Sequence, residues 1–288
     1  MNNPPHVRIA TDSMADIPAE LAGELGITVV PATITFGEET FLEGVNLSRD
    51  DFYGRLIKYE GLPKTAAPGP GAFTAAFQSI VSEQQQAGVP LDGIISLHPP
   101  AALSGLYNSA YSGSQAVDAT RIVVVDSGQI SMGIGWMAIV AARAAQDGKS
   151  IDEIITLIED MKGRTQLVAG LETLEWAARS GRVHRITAAL GNLLAVKPIV
   201  KVQDGDVSVI ERVRTHNRQV ERVVELVRSW APFQELAVVH GQAPDVAIEV
   251  ADRLASIHPR ERIVVAEIGC ILGSYAGPGA YGIVAVRQ

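Results

Sequence analysis

Ser104 and Gly105, within residues 92–110 (DGIISLHPPAALSGLYNSA), stand where an apolar strand gives way to a helix. Ile94, Ile95 and Leu97 form the apolar run, Pro99 and Pro100 stiffen the loop, and Leu106, Tyr107 and Ala110 mark the helix. A helix start leaves N–H groups without partners and concentrates partial positive charge there. A hydroxyl beside those groups makes a ready site for an anion. Which anion, and whether anything is done to it, depends on what else the chain brings.

Other stretches offer partners. Lys64-Thr65-Ala66-Ala67-Pro68-Gly69-Pro70 reads as a stiff, open loop that exposes Thr65, a residue that gains weight only opposite Ser104. Gly273–Ala280 (GSYAGPGA) links two apolar runs, either as a tight connection or as backbone that lets a ligand come close. Arg179–Arg185 (RSGRVHR) is a solvated helix end or an electropositive patch for an acidic group. Ser13 and Asp16 read as helix-start residues ahead of Ile17-Pro18, or as rim residues where strand ends converge.

Complete catalytic sets are missing. GxxxxGK[ST] and GxSxG do not occur, so neither a phosphate loop nor a nucleophile elbow is expected. Gly133-x-Gly135-x-x-Ala138 is half a dinucleotide fingerprint, too far from the strand end, and suits a helix packed closely on a sheet. The six histidines form no ligand pair by spacing, so no metal or other cofactor is expected.

Apolar runs at Val7–Ala10, Thr28–Phe36, Gly93–Leu97 and Arg121–Asp126 alternate with helical patterns at Arg49–Tyr59, Ala72–Gln86, Gly105–Ala116 and Ser131–Gln146. Such alternation implies βαβ units and a mainly parallel sheet flanked by helices. The second half carries a hairpin signal at Asp204-Gly205 and strands at Glu235–His240, Arg262–Ile268 and Ala280–Val286, which suggests a mixed sheet. The expectation is an α/β protein of two domains, 1–165 and 166–288. A net charge of −8 argues against nucleic acid as the main partner. The N-terminus lacks a signal-peptide pattern and Cys270 is the only cysteine, so a cytoplasmic protein is expected.

Short motifs in fixed order carry a resemblance. They are TDS at Thr11–Ser13, PKT at Pro63–Thr65, LSG with a following tyrosine at Leu103–Tyr107 and VDS at Asp126. SGR at Ser180–Arg182, KPI at Lys197–Ile199, RxRT at Arg212–Thr215, His240-Gly241 and GPGAYG at Gly277–Gly282 complete the series. In this the chain resembles the DegV family of bacterial fatty-acid-binding proteins.

The resemblance implies a two-domain α/β fold around a long-chain fatty acid, its carboxylate near the domain junction. It also implies presentation of that ligand to a separate fatty acid kinase that makes acyl phosphate, transient membrane contact, and no catalytic set of the chain's own. Thr65 and Ser104 match the residues that hold the carboxylate, and Arg182 the one that supports the head-group region. Gly105, Tyr275 and Gly277 fall in the same motifs. The chain departs from the family where KTS becomes Lys64-Thr65-Ala66, where SGTY becomes Ser104-Gly105-Leu106-Tyr107, and where the histidine ahead of GPG becomes Tyr275. A tyrosine still donates a hydrogen bond but is not cationic at neutral pH. His98, in the loop ahead of Ser104, is a candidate to compensate. Two other readings stand beside this one: a self-sufficient enzyme on a small phosphorylated or carboxylated metabolite, and a lipid-sensing module that needs no kinase.

Overall fold

The structure is a computed structural model that describes residues 4–179, 196–203 and 205–288. Its first sheet holds β1 (Val7–Asp12), β2 (Thr28–Val30), β6 (Gly93–His98) and β7 (Ile122–Asp126), all parallel in the order β2-β1-β6-β7. β1 and β6 are buried along their whole length, as a parallel sheet covered on both faces requires. A small antiparallel sheet sits beside it, order β4-β3-β5, built from β3 (Thr33–Phe36), β4 (Glu39–Leu42) and β5 (Lys64–Ala66).

Two expectations need correction here. Residues 28–36 do not form one strand: β2 and β3 belong to different sheets. Pro31 has no N–H to donate, and the N–H of Ala32 goes to Ser13 Oγ at 3.1 Å instead of to a strand. The Thr65 loop begins as a strand, because Thr65 pairs with Ile34. Three residues are too few to show a period in the sequence.

Helices α1 (Ala19–Glu24), α2 (Arg49–Lys58), α3 (Pro70–Ala87), α4 (Leu106–Ser114), α5 (Met132–Gln146) and α6 (Ile151–Arg164) follow in this half. Sequence logic sets their ends. Ser150 and Glu153 form a reciprocal capping box at the start of α6, and Gly88 ends α3 at φ 67°. α5 is buried on nearly every side, since it lies between the parallel sheet and the second sheet. Gly135 lets α5 approach the turn before α1: a Cβ there would come 2.7 Å from the carbonyl oxygen of Ala15. The GxGxxA pattern is thus a packing seam.

The second sheet is mixed, with order β10-β9-β8-β13-β11-β12. It comprises β8 (Thr165–Gly170), β9 (Lys197–Gln203), β10 (Asp206–Val213), β11 (Phe233–His240), β12 (Ile263–Glu267) and β13 (Tyr281–Arg287), antiparallel except for β11 with β12. Helices α7 (Glu175–Arg179), α8 (His216–Arg228), α9 (Pro244–Leu254) and α10 (Cys270–Ala276) complete the described chain. α8 and α9 cover one face of this sheet and share a core of Val168, Val220, Val224, Val250 and Ile283. The other face turns toward α5. Among the described residues no helix is long and apolar enough to cross a membrane.

Candidate functional site

Where the second sheet faces α5, the packing leaves a cavity. About 1010 Å³ of empty space lies within it, open mouth included. One wall is Met14, Leu103, Ile130 and Ser131; the floor is Leu167, Ala169, Val200, Val202, Val207, Val239 and Gly282; Leu272, Tyr275 and Ala276 of α10 close the side. Strand alternation explains the floor. Val168 and Tyr281 point to the α8–α9 core, so Ala169 and Gly282 point the other way. These two are register partners at the sheet centre, flanked by Val200 and Val239. Small residues in the middle of a Val/Leu face make a depression that larger ones would fill. The lining is almost wholly aliphatic, so the space suits a hydrocarbon chain.

At α10 the cavity meets hydroxyl groups. Tyr275 OH and Thr65 Oγ1 share a hydrogen bond, which joins α10 to β5. Ser104 Oγ accepts the N–H of Leu106 at 3.3 Å at the start of α4. The β5 loop lies against this turn: Ser109 Oγ donates to the Pro68 carbonyl at 2.5 Å. A Cβ on Gly105 would stand 4.0 Å from that of Ala67. Thr65 and Tyr275 are thus joined directly, and Gly105, next to Ser104, lies against the loop that follows Thr65; all four are half-buried or exposed. Arg182 lies outside the described residues.

Gly277 serves the backbone of the turn that follows. Its φ is 75°, and a Cβ would fall 2.2 Å from Trp176 Cδ1. Gly241 meets the same turn, accepting the N–H of Gly279 at 2.7 Å and donating to Ala280 at 2.8 Å. The HG and GPG motifs are thus two halves of one backbone contact. Gly277→Ala is expected to cost about 2–3 kcal/mol, by strain at positive φ and displacement of the indole, measured by chemical denaturation. An unchanged midpoint would remove this role.

Residues of the TDS and VDS motifs and His98 shape the strand end and the loop before Ser104. Thr11 Oγ1 donates to the Leu97 carbonyl at 2.8 Å. Asp12 Oδ2 faces His98 Nδ1 at 2.6 Å, and Ser96 Oγ faces His98 Nε2 at 2.7 Å. Ser127 Oγ donates to the His98 carbonyl at 2.7 Å, and Asp126 accepts the N–H of Ala101 at 3.0 Å. His98 is fully buried with both ring nitrogens engaged, so it does not stand in for the missing head-group histidine. Ser13 and Asp16 do not start a helix. Ser13–Ala15 is a single 3-10 turn capped by Asp12, and Asp16 ends it at φ 53°.

An acidic pair lies behind the cavity wall: Asp16, offered by the sequence as a rim residue, and Glu43, which it did not single out. Asp16 accepts from Ser131 Oγ at 2.5 Å and from the N–H of Gly269 at 2.7 Å. Glu43 accepts from Ser13 Oγ and from the N–H of Cys270, both at 2.8 Å. Arg49 stands 4.0 Å from Asp16 and donates to the Glu267 carbonyl. Burial raises the Asp16 carboxyl to about 7, against the pull of Arg49 and its hydrogen bonds. Burial raises Glu43 as well. It also pushes the Cys270 thiol up, so the lone cysteine is a poor nucleophile. Asp16 had a signal, its place after TDS. Glu43 had none, since its partners lie in other elements. Among the described residues no group of histidine, cysteine and carboxylate side chains is arranged to hold a metal ion.

Known proteins share this architecture. The model of the DegV family, described as an uncharacterised protein family, matches residues 6–288. The DegV domain-containing protein SCO2569 of Streptomyces coelicolor is 34% identical over 282 residues, 97% of this chain and 98% of that protein. The Protein DegV of Bacillus subtilis is 29% identical over 282 residues, 96% of this chain and 98% of that protein. A solved DegV family protein from Thermus thermophilus, described by its fatty acid binding, superposes with a TM-score of 0.88 at 26% identity, covering 98% of this chain and 99% of that one. Solved DegV of Bacillus subtilis, described as a fatty acid binding protein, gives 0.85 at 27% identity, covering 99% of this chain and 100% of that one. The match of a single family model to almost the whole chain, on a fold shared with solved members, means that the chain belongs to the DegV family.

Proposed function

We propose that this protein binds a long-chain fatty acid, with the acyl chain in the cavity and the carboxylate at Thr65, Ser104 and Tyr275. The observation that carries this reading is an aliphatic cavity whose wall meets a cluster of hydroxyls at a helix start. The fatty acid binding described for the Thermus and Bacillus relatives supports it. At about 0.8 kcal/mol per buried methylene, a long chain contributes on the order of 10 kcal/mol before association costs. The hydroxyls then fix which end faces the mouth. Arg182 is proposed as support for the head group, Gly105 as the close-approach position of the helix start, and Gly277 as the turn that holds Tyr275. The site lies at the junction of two proposed domains, which divide near Thr165, the residue that ends α6 and opens β8.

The chemistry of the site supports a carrier. Hydroxyl groups and helix-start amides hold a carboxylate without activating it. Formation of acyl phosphate then falls to a separate kinase to which this protein presents its ligand in the cytoplasm. Native mass spectrometry of protein purified from cells is expected to show a bound species of fatty-acid mass. Absence of that species, together with no uptake of added fatty acid, would sink the proposal. Thr65→Val combined with Ser104→Ala is expected to weaken fatty-acid affinity by about tenfold with the fold intact. Unchanged affinity would move the carboxylate elsewhere.

A further inference from the structure

Ser96, His98 and Asp12 form a hydrogen-bonded chain with the connectivity of a hydrolase triad: carboxylate to Nδ1, Nε2 to hydroxyl. All three residues are fully buried. Ser96 and His98 lie two apart on β6, inside the sheet, and the Phe73 ring of α3 closes on the imidazole at 5.1 Å, edge to face. A nucleophile must face its substrate, and this one faces a packed core. The arrangement therefore needs a different account.

That account lies in what β6 leads into. The His98 carbonyl accepts from Ser127 through both its N–H, at 3.0 Å, and its hydroxyl, at 2.7 Å. Pro99 and Pro100 follow, with φ fixed by their rings, so the orientation of His98 passes onward with little slack. The Pro100 carbonyl accepts the N–H of Leu103 at 2.9 Å and of Ser104 at 3.0 Å, folding the loop into the turn that places Ser104 at the start of α4. On the way, Asp126 accepts the N–H of Ala101, and Ser127 donates its hydroxyl to the His98 carbonyl. One end of this turn carries the proposed carboxylate contact, and the other is set by the imidazole.

We infer that His98, held by Asp12 and Ser96, is a positioning residue that aims Ser104 at the ligand carboxylate. The inference rests on the fatty-acid reading above. It makes the triad-like chain a fixture of the binding loop. It also accounts for two motifs, TDS and VDS, that flank the loop without reaching the cavity mouth.

The test compares two ligands with the same chain and different heads, stearic acid and stearyl alcohol, by displacement of a fluorescent fatty-acid analogue. His98→Ala is expected to weaken stearic acid about tenfold and to leave stearyl alcohol unchanged. His98→Asn, whose Nδ2 reaches Asp12 from the same position as the imidazole Nδ1, is expected to restore most of the loss. Ser127→Ala, which leaves the imidazole alone, is expected to give the same acid-selective loss at about threefold and serves if His98→Ala fails to fold. Equal weakening of acid and alcohol, or no change in either, would overturn the inference. So would turnover of a fatty-acyl ester by the wild-type protein that Ser96→Ala abolishes. Failure of the underlying reading has its own signature: the wild-type protein binds neither ligand, which overturns both proposals at once.

Discussion

Asp16→Asn is expected to stabilise the protein above neutral pH and to flatten its stability between about pH 4 and about pH 7. The carboxyl is fully buried and its pKa is raised from 3.8 to about 7, burial being the main cause. A raised carboxyl pKa means that the folded state prefers the protonated form. In the unfolded chain the group ionises near its ordinary value, so between the two values the folded state holds the extra proton. Stability then falls as pH rises across that window and levels off above it. A shift of this size corresponds to on the order of 4 kcal/mol. Glu43, raised by the same burial, adds to the trend, while Arg49 opposes it. Asparagine fits the site: it tolerates the left-handed backbone at φ 53°. Its carbonyl can accept from Gly269, and its amide can donate to a rotated Ser131 hydroxyl. Denaturant titrations near pH 5 and near pH 8 are the measurement. A difference between wild type and variant that is the same at both pH values would sink this account.

The residues involved show what a sequence makes legible. The run Ile94–Leu97 could be read because a fully buried parallel strand is apolar on both faces. The β9–β10 hairpin could be read because alternating runs flank Asp-Gly, a frequent hairpin dipeptide, and Gln203 does pair with Asp206. β5 was hidden by its length, and α10 by the glycines at both its ends. The acidic pair was hidden by distance, since Glu43 and Cys270 are 227 positions apart. The cluster at the mouth was legible only through motif order, since Thr65 and Tyr275 are 210 positions apart. The cavity could not be read at all. Ala169 and Gly282 look like weak strand residues in sequence, and only their register shows that they lie side by side and leave a depression in one face of the sheet.

That register sets up the largest effect expected on binding. Ala169→Phe is expected to lower affinity for long-chain fatty acids by about 100-fold while short chains still bind. Ala169 pairs with Gly282 on one side and Val200 on the other, and its side chain faces the cavity. A phenyl ring there displaces roughly four methylenes of a bound chain, worth about 3 kcal/mol at the usual burial value. The ring's open direction is the cavity: Gly282 beside Ala169 carries no side chain, and the Val200 and Val239 strands flank this pair on either side. Stability distinguishes a cavity from ordinary core. Overpacking a filled core costs about 1–3 kcal/mol, whereas a ring that occupies an empty space on a β-strand is tolerated. A long-chain defect in a protein with an unshifted unfolding midpoint is the expected result. A destabilised protein with unchanged ligand affinity would show that the aliphatic space is packing slack and that the acyl chain lies elsewhere.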